Sequence, residues 1–228
     1  MKTMFNFGDP HKDFTPVADE ILGEYEVMHI PITNNRIFYN DEFQIVDAAY
    51  GPSLVLDSLT MMKETGRLKE KDEIMFLGSM GSLSDIVNLD DLVVPVETHC
   101  AYFGNKGKMV KPDSHLLSAL RAVLHEKKEP FVFYVHGSVF AVFDPATDHV
   151  NYTNSLYGGK VEGIDCSESY IGLKFCEEND LMGAVLLYCS DDPKNHIGNI
   201  SKEEFDKRAL EKDLNLHRIS KEVLRKTI

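Results

Sequence analysis

The run from Gly183 to Cys189 is apolar at nearly every position, with Ala184, Val185, Leu186 and Leu187 at its centre. A strand with no polar side cannot face water, so it belongs in a sheet covered by helices on both faces. The run stops abruptly in Ser190-Asp191-Asp192-Pro193. In open α/β sheets ligands bind outside the carboxyl ends of strands, so the paired carboxylates there are acid-catalyst candidates as well as a solvated turn before proline.

Shorter runs rich in Val, Ile and aromatic residues predict further strands at Tyr25 to Ile30, Gln44 to Ala49, Glu73 to Leu77, Leu92 to Val96 and Phe131 to Val135. Segments of helical period alternate with them. One follows Pro52, carries Val55, Leu59 and Met62 on one face and stops near Gly66. Asp113 is placed to cap the next, whose Leu116, Leu117, Leu120, Val123 and Leu124 form a core-facing stripe. Ser201 and Glu204 form a capping box ahead of a charged helix with Phe205, Ala209 and Leu210 among its apolar positions. The alternation predicts an α/β layer fold. No repeat, low-complexity tract or Pro/Ser-rich linker divides the chain, so a single domain spanning residues 1–228 is expected. With 43% hydrophobic residues, a core of that size is attainable.

Acidic residues outnumber basic ones 37 to 24, a formal net charge of −13. Binding that releases counterions from a polyphosphate needs the opposite balance, so nucleic-acid coating and docking on anionic lipid are disfavoured. Met1 to Asp13 lacks the apolar run of a secretion signal, and the longest uncharged stretch, Phe131 to Phe143, is shorter than the roughly 20 residues that cross a bilayer. Cys100, Cys166, Cys176 and Cys189 lie in or beside apolar stretches, with no Cys-x-x-Cys pair. They read as reduced, buried thiols in a cytoplasmic protein, and no metal site is expected.

Neither a P-loop nor a dinucleotide Gly-x-Gly-x-x-Gly is present, and His-Glu-x-x-His and EF-hand patterns are missing. What stands out is Leu77-Gly78-Ser79-Met80-Gly81-Ser82 behind an apolar strand, read as a glycine turn whose N–H groups and Ser79 hydroxyl converge on an anion, or else as an ordinary tight turn. A nucleophile elbow is excluded, because the position two before Ser79 is Leu77 rather than glycine. In Gly163-Ile164-Asp165-Cys166-Ser167-Glu168-Ser169-Tyr170, Asp165 reads as an N-cap and Glu168 as an ionised residue of the first helical turn.

Taken in order, Gly8-Asp9-Pro10, Gly78-Ser79-Met80-Gly81, Ser167-Glu168-Ser169 and Ser190-Asp191 resemble the anchors of the nucleoside phosphorylase family, which includes purine nucleoside and uridine phosphorylases and methylthioadenosine nucleosidases. The resemblance covers nearly the whole chain. It implies one α/β domain with a twisted, mixed central sheet flanked by helices. It also implies a phosphate pocket at Gly8, Lys12, Gly78 and Ser79, and ribose binding by Glu168 beside Ser167. Phe143 would pack on the base, and Asp191 would give a proton to the departing base. Homo-oligomers, dimers or hexamers, are implied too, with inorganic phosphate as co-substrate and no other cofactor.

The chemistry suits these residue types. Breaking an N-glycosidic bond builds positive charge on the sugar and negative charge on the base, which calls for an anion or water below the ribose and an acid beside the base. The expected activity is that of a pentosyltransferase, a nucleoside phosphorylase releasing free base and ribose 1-phosphate, with purine nucleosides preferred because of Asp191. Two departures from the family bear on phosphate: Lys12 and Phe76 stand where arginines are usual, with Arg36 the remaining candidate for a substitute cation. The alternatives are a hydrolytic nucleosidase and a non-catalytic nucleoside-binding homologue that has lost those arginines. A glutamate positioning water is missing at the Lys12 place.

Overall fold

A computed structural model describes residues 1–7, 13–30, 35–48, 51–82, 86–100, 108–138, 163–165, 168–191 and 201–227. Along the chain these form β1 (Lys2–Phe7), α1 (Thr15–Leu22), β2 (Glu26–His29), β3 (Arg36–Tyr39), β4 (Phe43–Ala48), α2 (Pro52–Glu64), β5 (Glu73–Ser82), β6 (Leu92–Cys100) and β7 (Met109–Val110). They continue with α3 (Ser114–Lys127), β8 (Phe131–Ser138), β9 (Gly163–Asp165), α4 (Glu168–Glu178), β10 (Met182–Asp191) and α5 (Lys202–Lys226).

All ten strands belong to one mixed sheet. β1 lies between β4 and β5, parallel to both, and β3 and β2 extend the β4 side in antiparallel fashion. β5 also pairs in parallel with β10 and in antiparallel with β9. β9 pairs with β8, β8 with β6, and β6 with β10, so β5, β9, β8, β6 and β10 close into a ring. β1 was not expected as a strand; its polar Thr3 is accommodated because the Gln44 amide donates to Thr3 Oγ1 at 2.9 Å.

Side-chain alternation divides the core in two. Ile74, Phe76 and Met80 of β5 and Val185, Leu187 and Cys189 of β10 join α2 and α4 residues on one face. Met75, Leu77, Ala184, Leu186 and Tyr188 join residues of α1, α3 and α5 on the other. This two-sided cover is what the unbroken apolar run of β10 predicts.

The helix signals are largely met. Asp113 Oδ1 accepts from the N–H groups of His115 and Leu116 at 2.9 and 3.0 Å, and Leu116, Leu120, Val123 and Leu124 are buried. Gly66, at φ 74, follows α2, and Ser201 Oγ accepts from Glu204 N–H at 3.2 Å. Ala209 is buried and Leu210 packs at the core margin, while the Phe205 side chain lies outside the described residues. Cys100, Cys176 and Cys189 are buried and form no disulfide.

Two local expectations are corrected. Residues 78–82 are not a turn: β5 runs on to Ser82, and ladder pairing with its neighbours keeps this stretch extended. Asp165 does not cap a helix, because it ends β9 opposite Ser138 and α4 begins at Glu168. Among the described residues no helix is long and apolar enough to cross a membrane, and no group of three or more His, Cys, Asp or Glu is placed to hold a metal.

Candidate active site

The strands divide at β5. Along one of its edges runs β10, from Met182 opposite Glu73 to Asp191 opposite Gly81. Along the other edge β1 pairs only as far as Phe7 opposite Gly78, and β9 takes over with Ile164 opposite Gly81. Among the described residues, Ser79 and Met80 therefore sit at a fork in the pairing, between the last β1 partner and the first β9 partner of β5. In open α/β sheets, ligands bind outside the carboxyl ends of strands where the strand order changes.

Glycine at position 78 has a packing cause. A Cβ there would lie 2.6 Å from the Phe7 ring and 2.9 Å from the Phe7 carbonyl oxygen. Gly8, the first residue of the expected Gly-Asp-Pro loop, directly follows Phe7 in sequence and lies outside the described residues.

Glu168 follows β9 by three positions. It opens α4, is only 1% exposed, and its Oε1 accepts from Gly51 N–H at 3.0 Å. At the amino end of a helix the dipole favours its carboxylate. Gly51, φ 113, stands just before α2 in backbone geometry that an L side chain rarely adopts. Sequence reading passed over Gly51; the Gly51-Pro52 pair behind a strand was its only signal.

Asp191 ends β10 beside Gly81, past a register shift that separates it from Cys189. Ser190 Oγ donates to Met80 O at 3.2 Å, tying this strand end to the fork. The backbones at Ser79 and Asp191 thus lie at one rim, the carboxyl end of the β5–β10 pair, and α4 starts at Glu168 three positions after β9, which pairs with that end of β5. Ser79 shares the sheet face of Leu77, whereas α4 packs on the opposite face against Phe76 and Met80. Gly8, Lys12, Phe143 and Ser167, and the Asp191 side chain, lie outside the described residues.

The cation question has a partial answer. Phe76 is fully buried, its ring centroid 5.7 Å from that of Phe5, and a Cβ on Gly172 of α4 would meet it at 2.6 Å. That position is core. Arg36 places Nε and Nη2 at 3.0 and 2.6 Å from Asp47 Oδ2. Burial pushes the Asp47 carboxyl up while Arg36 holds it down, so the arginine is engaged as a counter-ion on the neighbouring strand.

Solved structures share this architecture. A Borrelia burgdorferi protein described as a putative 5′-methylthioadenosine/S-adenosylhomocysteine nucleosidase, bound to adenine, superposes with a TM-score of 0.78 at 15% identity, over 99% of each chain. Futalosine hydrolase of Helicobacter pylori gives 0.76 at 14% identity over 99% of each chain. Uridine phosphorylase of Vibrio fischeri gives 0.75 at 17% identity, covering 99% of this chain and 91% of its own. No protein-family model matches the chain, and no curated protein matches it in sequence. The chain has the fold of the nucleoside phosphorylase and nucleosidase superfamily.

Proposed function

We propose that this protein cleaves the N-glycosidic bond of nucleosides, purine nucleosides preferred, at the fork of β5. The reading is supported by the carboxyl end of β5, where β10 ends with Asp191 opposite Gly81 and where β9, three positions ahead of the buried Glu168, pairs with the same residue. In this reading Glu168 holds the ribose hydroxyls, with Ser167 beside it and Phe143 packing on the base. Asp191 gives its proton to a ring nitrogen as the bond from the sugar carbon to the base breaks and its electron pair moves onto the base. An aspartate acting so near neutrality needs its pKa raised from about 3.9.

Water is the favoured acceptor at the sugar carbon. Phe76 lies in the core and Arg36 is engaged by Asp47, which leaves Lys12 as the cation of the expected phosphate set. Two of the three structural relatives named above are described as nucleosidase or hydrolase, which supports the same choice. The second reading is phosphorolysis, with phosphate held by Lys12, Gly8, Gly78 and Ser79.

A panel of purine and pyrimidine nucleosides, incubated with and without phosphate, tests both. Hydrolysis releases base and free ribose whether or not phosphate is present. Phosphorolysis releases ribose 1-phosphate and stops without phosphate. Binding with no release of base from any nucleoside overturns the enzymatic reading.

A further inference from the structure

The end of β10 is held from outside the sheet. Asp90, in the connection between β5 and β6, donates its N–H to Cys189 O at 2.9 Å, and Cys189 N–H returns to Asp91 O at 3.0 Å. Asp90 is in left-handed geometry, φ 73, a conformation that aspartate and asparagine tolerate better than most residues. Its carboxylate faces α5. Arg208 donates from Nη2 to Oδ2 and from Nε to Oδ1, the latter at 3.1 Å, as a two-pronged pair. Lys212, one turn on, reaches Asp90 O at 3.3 Å and Oδ1 at 3.6 Å. Tyr188, Ser190, Arg208 and Lys212 border a shallow, solvent-open hollow beside this cluster.

A lone exposed ion pair contributes little, but this one is forked, shared by two cations and only about a third exposed. It also sits at a mechanically sensitive place. Asp90 bonds the residue immediately before the register shift that delivers Asp191 to the rim. Any displacement of Asp90 passes through Cys189 to Asp191.

We propose that Asp90, Arg208 and Lys212 form a positioning clamp for Asp191, fixing the proton donor relative to the base by tying α5 to the end of β10. The clamp rests on the reading of Asp191 as the acid. It touches neither sugar nor base, so its loss acts on leaving-group protonation and leaves the rest of the site in place.

The test uses Asp90→Asn and Arg208→Met, checked for folding by thermal melting, with two substrates: a purine nucleoside, and a para-nitrophenyl riboside whose leaving group departs without a proton. Each variant is expected to lose about tenfold or more in kcat on the purine nucleoside with KM little changed, and to keep the riboside activity within about twofold. Combined with Asp191→Asn, Arg208→Met is expected to add no further loss, since both changes act on the same proton transfer. Arg208→Lys, which keeps a cation, is expected to recover part of the loss. Equal losses on both substrates, losses that multiply with Asp191→Asn, or unchanged kcat on the purine nucleoside overturn the clamp alone. A wild-type protein inactive on both substrates overturns the enzymatic reading, and the clamp with it.

Discussion

Glu168 Oε1 accepts a 3.0 Å hydrogen bond from Gly51 N–H, joining two helix starts that lie 117 positions apart in sequence. The carboxylate is thereby fixed before any ligand arrives, and replacing it has two separable effects. Glu168→Ala leaves Gly51 N–H without this acceptor and is expected to destabilise the fold by about 1–3 kcal/mol, measured by urea unfolding. Glu168→Gln keeps an acceptor oxygen and is expected to fold like the wild type. It should nonetheless raise KM for ribonucleosides about tenfold or more, and a dideoxynucleoside lacking both ring hydroxyls should not distinguish it from wild type.

Asp191 follows a register shift at the end of β10, opposite Gly81. Asp191→Asn keeps the size and removes the proton donor. It is expected to lower kcat on purine nucleosides about a hundredfold while nucleoside affinity, measured by calorimetry, stays near that of wild type. A matching fall in affinity with unchanged kcat would reassign Asp191 to binding.

Gly78 lies against Phe7 so closely that a methyl group has no room, its Cβ falling 2.6 Å from the ring and 2.9 Å from the backbone oxygen. Gly78→Ala should cost about 1–3 kcal/mol through overpacking. Phe7→Leu in the same chain relieves the ring contact but not the carbonyl contact, so only partial recovery of the urea midpoint is expected.

His217 on α5 is fully buried, its Nδ1 2.7 Å from Asp213 O and its ring edge-on to Phe14 at 5.2 Å. Burial pulls its pKa from 6.5 down to about 4. Between those values the unfolded chain binds a proton that the folded chain refuses, so this group's contribution is complete above pH 6.5 and drains away as the pH falls toward 4. The total is about 3 kcal/mol. Urea unfolding across that window should show wild type losing stability more steeply than His217→Phe; parallel slopes would reject the assignment.

Legibility in sequence followed the range of the interactions. Asp113, Ser201 and Gly66 could be placed because helix ends are decided within a few residues. β10 could be placed because an uninterrupted apolar run has one solution. Gly78 to Ser82 was misread because glycine has two uses. The expectation was turn freedom, whereas the need at Gly78 is clearance for Phe7, a partner more than seventy residues away that only strand pairing brings near. Arg36 offered no local sign of Asp47, which meets it across the β3–β4 ladder. Glu168 stood out through its helix-start setting, but its tie to Gly51 is a tertiary contact that no local pattern encodes.

The ring made by β5, β9, β8, β6 and β10 has a mechanical consequence. None of its members can swing outward without tearing ladders on both flanks, so the sheet behaves as a hoop rather than a hinge. Adaptation to a bulkier or smaller guest falls to the connecting segments and the helices resting on the hoop. A frame that rigid can tolerate wide drift in its side chains while its outline persists, as the Borrelia, Helicobacter and Vibrio proteins illustrate at 14–17% identity.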